Sequence, residues 1–252
     1  MNRSQTDIQI VNTAYLSRKA TEIIVHYIKE TLELRNLFTL VLSGGSTPRK
    51  TYELLASDET LRAQIPWERI HFFWGDERHV SPDHLESNFR MANEVMLSRV
   101  PVPRKNIHRI KSEIPDARNA AAQYEKEIRT FFKLKRGQLP RFDCVLLGMG
   151  TDGHTASLFP KTEALNEESR LVVATCVEQF QTHRITLTLP VLNNADSIMF
   201  IVSGQEKAAI FKEVIEGKKK SALLPAQLIK PKHGNLLWLL DKAAASQLTH
   251  FT

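Results

Sequence analysis

Residues 142–160 read FDCVLLGMGTDGHTASLFP. An apolar run of strand length (Phe142, Cys144, Val145, Leu146, Leu147) ends in Gly148-Met149-Gly150, and Asp152 and His154 follow around Gly153. A buried strand that stops at glycines and then delivers an acid and an imidazole is the pattern of an α/β sheet edge, where ligands bind beyond the carboxyl ends of the strands. Taken singly, His154 reads as a structural histidine and Asp152 as a cap for the turn at Ala156. Two residues apart at a strand end, they give the imidazole a local partner that fixes its tautomer, as a general base requires.

The flanking sequence repeats the theme. Phe38–Leu42 is a short apolar strand that runs into Ser43-Gly44-Gly45-Ser46-Thr47-Pro48, and Tyr52, Leu54 and Leu55 mark a helix after it, with Pro48 suited to its first turn. A glycine turn between a strand and a helix exposes backbone N–H groups to an anion, and the helix dipole favours a phosphate there. Two adjacent glycines among three hydroxyls exceed what a plain cap needs, and the P-loop spacing GxxxxGK[ST] is absent. Ile70–Trp74 is a second such strand, ending in Gly75-Asp76-Glu77-Arg78-His79 on what should be the same sheet edge; an arginine there can clamp a phosphate or stabilise developing negative charge.

Residues 12–35 carry apolar positions at helical spacing, Ser87 reads as the cap of a helix over Phe89–Met96, and 116–135 is a long amphipathic helix. Leu171–Val177 and Arg184–Leu189 are β-rich. Ile198–Val202 is a buried strand with Ser203-Gly204 before a helix over Ala208–Ile215, and Leu236–Leu240 is a last strand, with Asp241 expected to cap a final helix. Arg184 enters a strand, and Lys207 sits in a first helical turn, where a cation opposes the dipole unless an anion is bound. Strands alternating with helices predict an α/β fold on a mainly parallel sheet. Without repeats or long linkers, 252 residues read as a single domain.

Composition narrows the classes. The charge is +6, from 34 basic and 28 acidic residues, which permits anionic ligands without choosing among them. Lys218-Lys219-Lys220 beside Gly217 is a solvated loop rather than a nucleic-acid arm. Two cysteines, Cys144 and Cys176, lie in apolar strand-like runs, so buried, reduced thiols are expected. The first twelve residues lack an apolar signal core and no run has membrane-spanning length, so the expectation is a cytoplasmic, soluble protein with no membrane or nucleic-acid partner. The nine histidines show no HxH or HExxH spacing, so no metal is expected. Gly148–Gly153 matches GxGxxG, but the segment reaches Pro160 instead of opening a helix, and no acid ends the next strand at the expected spacing of about twenty residues. A nucleotide cofactor is therefore not expected.

LSGGSTPRKTYELLA, WGDERHV with Ser87-Asn88, and LLGMGTDGHTASLFP resemble the 6-phosphogluconolactonase family, as do HRITLTLPVLN (183–193), the turn at 204–208 and LPAQLI (224–229). The related glucosamine-6-phosphate deaminases share SGGSTP and DGH, but their DGH precedes an acid-bearing segment, where this chain has Thr155–Pro160, and Arg78 stands where they tend to have tyrosine. The resemblance implies a three-layer, Rossmann-like αβα fold and hydrolysis of 6-phospho-D-glucono-1,5-lactone in the oxidative pentose phosphate pathway, with no metal or organic cofactor; a phosphorylated sugar lactone is the expected partner and a monomer the expected state. It implies His154 as the base, Asp152 orienting it or the sugar, and Arg78 at the oxyanion or carboxylate end. Gly44, Gly45, Ser46, Thr47, Arg184 and Lys207 would hold the phosphate and hydroxyls, with Ser43, Asp76 and Asn88 from the same motifs completing the binding set. An amino-sugar-phosphate deaminase or a non-catalytic sugar-phosphate sensor are the competing readings.

Overall fold

The computed structural model describes residues 6–177, 182–217 and 224–249, so the lysine run at 218–220 lies outside the described residues. The chain forms β1 (Thr6–Val11), α1 (Leu16–Leu34), β2 (Phe38–Leu42), α2 (Ser46–Ser57), α3 (Glu59–Arg62), β3 (Ile70–Trp74), β4 (Asp76–Arg78), α4 (Asn88–Val95) and β5 (Ile107–His108). It continues through α5 (Ala117–Phe131), β6 (Cys144–Leu147), β7 (Val172–Val177), β8 (Thr182–Leu187), α6 (Leu189–Leu192), β9 (Ser197–Val202), α7 (Ala208–Glu216) and β10 (Asn235–Asp241).

Seven strands make one sheet in the order β1-β10-β9-β6-β2-β3-β5, and every neighbouring pair in it is parallel. Parallel strands covered by helices on both faces read as continuous apolar runs. The sequences FTLVL of β2 and CVLL of β6 do so, and every residue of both is buried. Helix α1 turns Leu16, Ala20, Ile24, Val25 and Ile28 inward, and α5 does the same with Ala117, Ala120, Ala121, Tyr124 and Ile128, as the 3.6-residue period dictates. Ser87 caps α4 by accepting from Arg90 N, and Asp116 caps α5 by accepting from Arg118 N and Asn119 N.

From β2 the chain winds outward through β3 to β5; from β6 it winds the other way through β9 to β10. The reversal opens a crevice beyond the carboxyl ends of β2 and β6, the place where open α/β sheets bind ligands.

The structure corrects the sequence reading at two points, Cys176 and Asp241, and adds to it at two others. The β-rich stretches around 171–189 do not join the main sheet: β4, β8 and β7 form a separate antiparallel sheet in that order. Gly75 is the crossing point, donating to Leu42 O of the main sheet (2.9 Å) and accepting from Leu187 N of the small one (2.8 Å). Cys144 is buried as expected, but Cys176 is exposed, because the alternating outer face of β7 looks to solvent. Among the described residues no helix follows Asp241; residues 242–247 form turns, and the Asp241 carboxylate accepts from three separate segments. Finally, β1 and the two-residue β5 flank the sheet where the sequence showed no strand; an edge strand with one wet face carries a weaker apolar signal than a central one.

Candidate active site

A pocket of about 260 Å³ occupies the crevice. Its walls come from four loops, each following a strand of the main sheet. The glycine turn after β2 contributes Ser43–Thr47, the connection from β3 to α4 contributes Asp76 and Arg78 of its short strand β4, the turn after β6 contributes Gly148–Gly150 and His154, and the turn after β9 contributes Ser203 and Lys207. Asn88, at the start of α4, closes one side.

The turn after β6 is built around its histidine. Gly150 N donates to His154 O (2.9 Å) and Gly153 N to Gly150 O (3.1 Å), with Gly153 at φ 77°, a left-handed conformation that glycine takes at no steric cost. A Cβ on Gly150 would collide with the His154 ring and the Asp152 carboxylate, so the motif needs glycine there. Asp152 Oδ1 accepts from His154 N (3.1 Å) and lies 2.6 Å from His154 Nδ1. The carboxylate can only accept, so Nδ1 carries the hydrogen and Nε2 keeps the lone pair of a base. Burial works against the charge on Asp152, but its hydrogen bonds from His154 hold the carboxyl below its usual range. Phe159 stacks on the imidazole with ring centroids 4.2 Å apart, fixing the ring plane from the other side. Ala156, on the pocket wall, holds φ 47°, a strained conformation for a residue with a Cβ.

The glycine turn is pinned by Tyr52, whose hydroxyl accepts from Ser43 N (2.9 Å) and donates to Ser43 O (3.0 Å). Gly45 at φ 108° then opens α2, whose first N–H groups have no partner within the helix. Ser43 Oγ is buried and has no hydrogen-bond partner among the described residues. A Cβ on Gly44 would strike Asn88 Oδ1, so this glycine is what allows α4 to close on the turn.

The third wall belongs to the small sheet. Asp76 Oδ2 accepts from Ser157 Oγ (2.6 Å), while Asn88 Nδ2 donates to Asp76 O (2.9 Å). Glu77 is buried beneath them. Its carboxylate accepts from Arg78 N, Asn88 N, Phe89 N and Ser87 Oγ, clamping the start of α4 onto β4. Burial pushes the Glu77 carboxyl up to about 7, against the pull of those backbone donors. Arg78 sits opposite Arg184 in the β4–β8 register, which places two guanidinium groups on one face of the sheet. Burial lowers the Arg184 pKa, Arg78 lowers it further, and Asp76 works in the other direction.

Of the sequence-predicted residues, the structure brings His154, Arg78, Ser43, Gly44, Gly45, Ser46, Thr47, Asp76, Asn88 and Lys207 to this pocket. Asp152 and Arg184 stand behind its wall, the first bonded to His154 and the second in register with Arg78. Sequence reasoning gave no role to Ser157, Glu77 or Gly150; Ser157 meets Asp76 across 81 residues, and no local pattern carries that contact. A larger open groove of about 1930 Å³ runs along α5 and β7 and touches the site only through Asp152 and Phe159. Among the described residues, no group of three or more His, Cys, Asp or Glu could hold a metal ion, and no helix is long and apolar enough to cross a membrane.

Fold and pocket define an α/β enzyme that works at the switch point of a parallel sheet. The family model for glucosamine-6-phosphate isomerases/6-phosphogluconolactonase matches residues 12–238, and the chain belongs to this family. It is 42% identical over 94% of its length to the 6-phosphogluconolactonase of Nostoc sp., covering 95% of that protein. It is 41% identical over 97% of its length to that of Synechocystis sp., covering 98% of that protein. The solved 6-phosphogluconolactonase of Thermotoga maritima superposes with a TM-score of 0.80 at 33% identity, over 94% of this chain and all of that one.

Proposed function

We propose that the pocket hydrolyses 6-phospho-D-glucono-1,5-lactone to 6-phosphogluconate, the lactonase step of the oxidative pentose phosphate pathway, with His154 as general base. The observation that carries the mechanism is the 2.6 Å contact between His154 Nδ1 and Asp152 on the wall of a pocket that also holds a glycine turn and two cations. Nε2 takes a proton from water as the oxygen attacks the lactone carbonyl. The tetrahedral oxyanion is held by Arg78. As the carbon–ring oxygen bond breaks, the imidazolium returns its proton to the departing ring oxygen, leaving a carboxylic acid that ionises in water.

General base action contributes on the order of 10² to 10⁴ in rate, and one oxyanion donor roughly 10² to 10³. A strained-ring ester that already opens slowly unaided needs no covalent intermediate. The phosphate takes the N–H groups at the start of α2 with Ser46 and Thr47, where backbone donors and the helix dipole favour an anion. Ser43 Oγ, buried without a partner, is available to a ligand oxygen. Lys207 and the buried Arg184 balance the phosphate charge, while Asp76 and Asn88 face the sugar hydroxyls. We read the enzyme as a monomer that acts in the cytoplasm on a small-molecule substrate.

The test is hydrolysis of freshly generated 6-phosphogluconolactone, coupled to 6-phosphogluconate dehydrogenase and corrected for spontaneous opening. Wild type should exceed the blank by a wide margin, and His154→Ala should lose about 10³-fold in kcat with an unchanged Tm. Near-normal turnover in that variant removes His154 as the base. No turnover by wild type, with ammonia released from glucosamine 6-phosphate, would give the protein to the deaminase branch of the family.

A further inference from the structure

The carboxylate of Asp241 sits at the end of β10, almost wholly buried, and collects donors from three segments that meet at the carboxyl edge of the sheet. Its Oδ2 accepts from Ser203 Oγ (2.7 Å) and from Thr13 Oγ1 (3.2 Å). Its Oδ1 accepts from Ala244 N (2.8 Å), and both oxygens share Gly204 N (3.2 and 3.3 Å). Burial alone would raise the pKa of this carboxyl, but the donors from Ser203, Ala244, Gly204 and Thr13 outweigh it and hold the group ionised.

Two of those donors belong to the turn that enters α7. Ser203 lines the pocket, Gly204 adopts φ 102°, and Lys207 N closes the turn onto Gly204 O (3.1 Å) before Lys207 itself reaches the pocket wall. Lys207 has no side-chain cap at its helix end and stands where the α7 dipole repels a cation. A lysine carries much rotamer entropy, so its usefulness to a bound anion depends on how firmly the turn beneath it is held. Nothing in the sequence near Lys207 supplies that firmness; the carboxylate comes from 34 residues further along the chain, on a neighbouring strand.

We propose that Asp241 is a positioning residue for substrate binding: by holding Ser203 Oγ and Gly204 N it sets the turn that presents Lys207 to the anionic substrate. The inference rests on the sugar-phosphate reading of the pocket. It separates Asp241 from a purely structural carboxylate, because its effect on binding runs through one named side chain.

The experiment is a double-mutant cycle on KM for 6-phosphogluconolactone, with the Kd of 6-phosphogluconate measured in parallel by calorimetry so that binding is read whether or not turnover is observed. Asp241→Asn should raise KM and Kd roughly five- to twentyfold with kcat within about threefold of wild type, and Lys207→Met should raise them at least as much. In the Lys207→Met background, Asp241→Asn should add almost nothing. Thr13→Val removes a donor on the side of Asp241 away from the turn, and should lower Tm while leaving KM unchanged. Should Asp241→Asn fail to fold, Asp241→Glu takes its place in the cycle, since it keeps the charge and shifts the carboxylate off Ser203 Oγ and Gly204 N. Effects that multiply fully in the double variant, or a KM shift in Thr13→Val equal to that of Asp241→Asn, would overturn the proposal and leave Asp241 as a stabiliser of the sheet edge. Failure of wild type to bind 6-phosphogluconate would instead overturn the sugar-phosphate reading, and this inference with it.

Discussion

Asp152 and His154 ride on a turn beyond β6, whereas Asp76, Arg78 and Arg184 are themselves residues of a small antiparallel sheet. The two regions hold their groups by different means. The turn is local: its bonds connect Gly150, Asp152, Gly153 and His154 with one another, and among the described residues a single long-range hydrogen bond, Ala226 N to Gly153 O (3.0 Å), ties it down. The small sheet is non-local. Its cations are set by strand register and its acids by Ser157, Ser87 and Asn88, from other parts of the chain. A short self-contained turn suits a base that must move protons without reorganising its neighbours. A strand ladder suits charges that must stay fixed while a ligand enters and leaves. The division predicts that changes in the turn cost mainly kcat, and that changes in the small sheet, apart from Arg78 at the oxyanion, cost mainly affinity.

The sharpest way to break that division is Asp152→Asn. The amide can present N–H₂ to Nδ1 and turn the imidazole into the wrong tautomer, so kcat should fall roughly 10²-fold or more with KM little altered. A loss confined to KM would mean that Asp152 binds the sugar instead of orienting the base. Arg184→Met probes the other side. It removes one member of the Arg78–Arg184 pair, and a charge-assisted contact to a ligand is worth about 1.5–3 kcal/mol. KM should therefore rise on the order of 10- to 100-fold, with kcat changed only a few-fold. An equal loss in kcat would place Arg184 on the oxyanion and erase the distinction between the regions.

This same division explains what the sequence disclosed. The strands β2, β6 and β9 are buried on both faces and announce themselves as apolar runs, and three of the four pocket loops follow directly from them. The histidine and its acid were legible because they are two residues apart. The small sheet was not legible as a separate sheet, because nothing local tells a strand which ladder it will join; Gly75 as the point of departure shows only in its bonds to Leu42 and Leu187. Asp241 misleads for a related reason. An aspartate at a strand end looks like a helix cap, and its partners Thr13 and Ser203 lie just beyond β1 and β9, strands that flank β10 only after folding. In the sequence Glu77 is one letter of a charged cluster; in the fold it is a buried clamp.

Glu77 yields the smallest effect and the most discriminating one, because a half-buried base elsewhere titrates in the opposite sense. Its carboxyl is raised from an ordinary 4.5 to about 7, chiefly by burial. Between those values the folded state keeps a proton that the unfolded chain has lost, so this group's contribution to stability is complete below pH 4.5 and fades as pH rises through 7. His71, on β3 at the far end of the sheet, shares a hydrogen bond with His108 (3.0 Å) and is lowered from 6.5 to about 4, first by burial and then by His108 and Lys105. There the unfolded chain binds the extra proton, so stability is lost as pH falls from 6.5 towards 4. The two slopes oppose each other, and wild type should show a nearly flat urea midpoint between pH 5 and pH 6.5. Glu77→Gln should uncover a midpoint that rises with pH across that range, by about 1–2 kcal/mol of unfolding free energy, and His71→Gln one that falls. Because Glu77 lies under Asp76 and Arg78 while His71 touches nothing at the pocket, only Glu77→Gln should also raise KM. If both variants left KM alone, the clamp of β4 onto α4 would be a matter of stability, and the fixed geometry assigned to the small sheet would have to come from strand register alone.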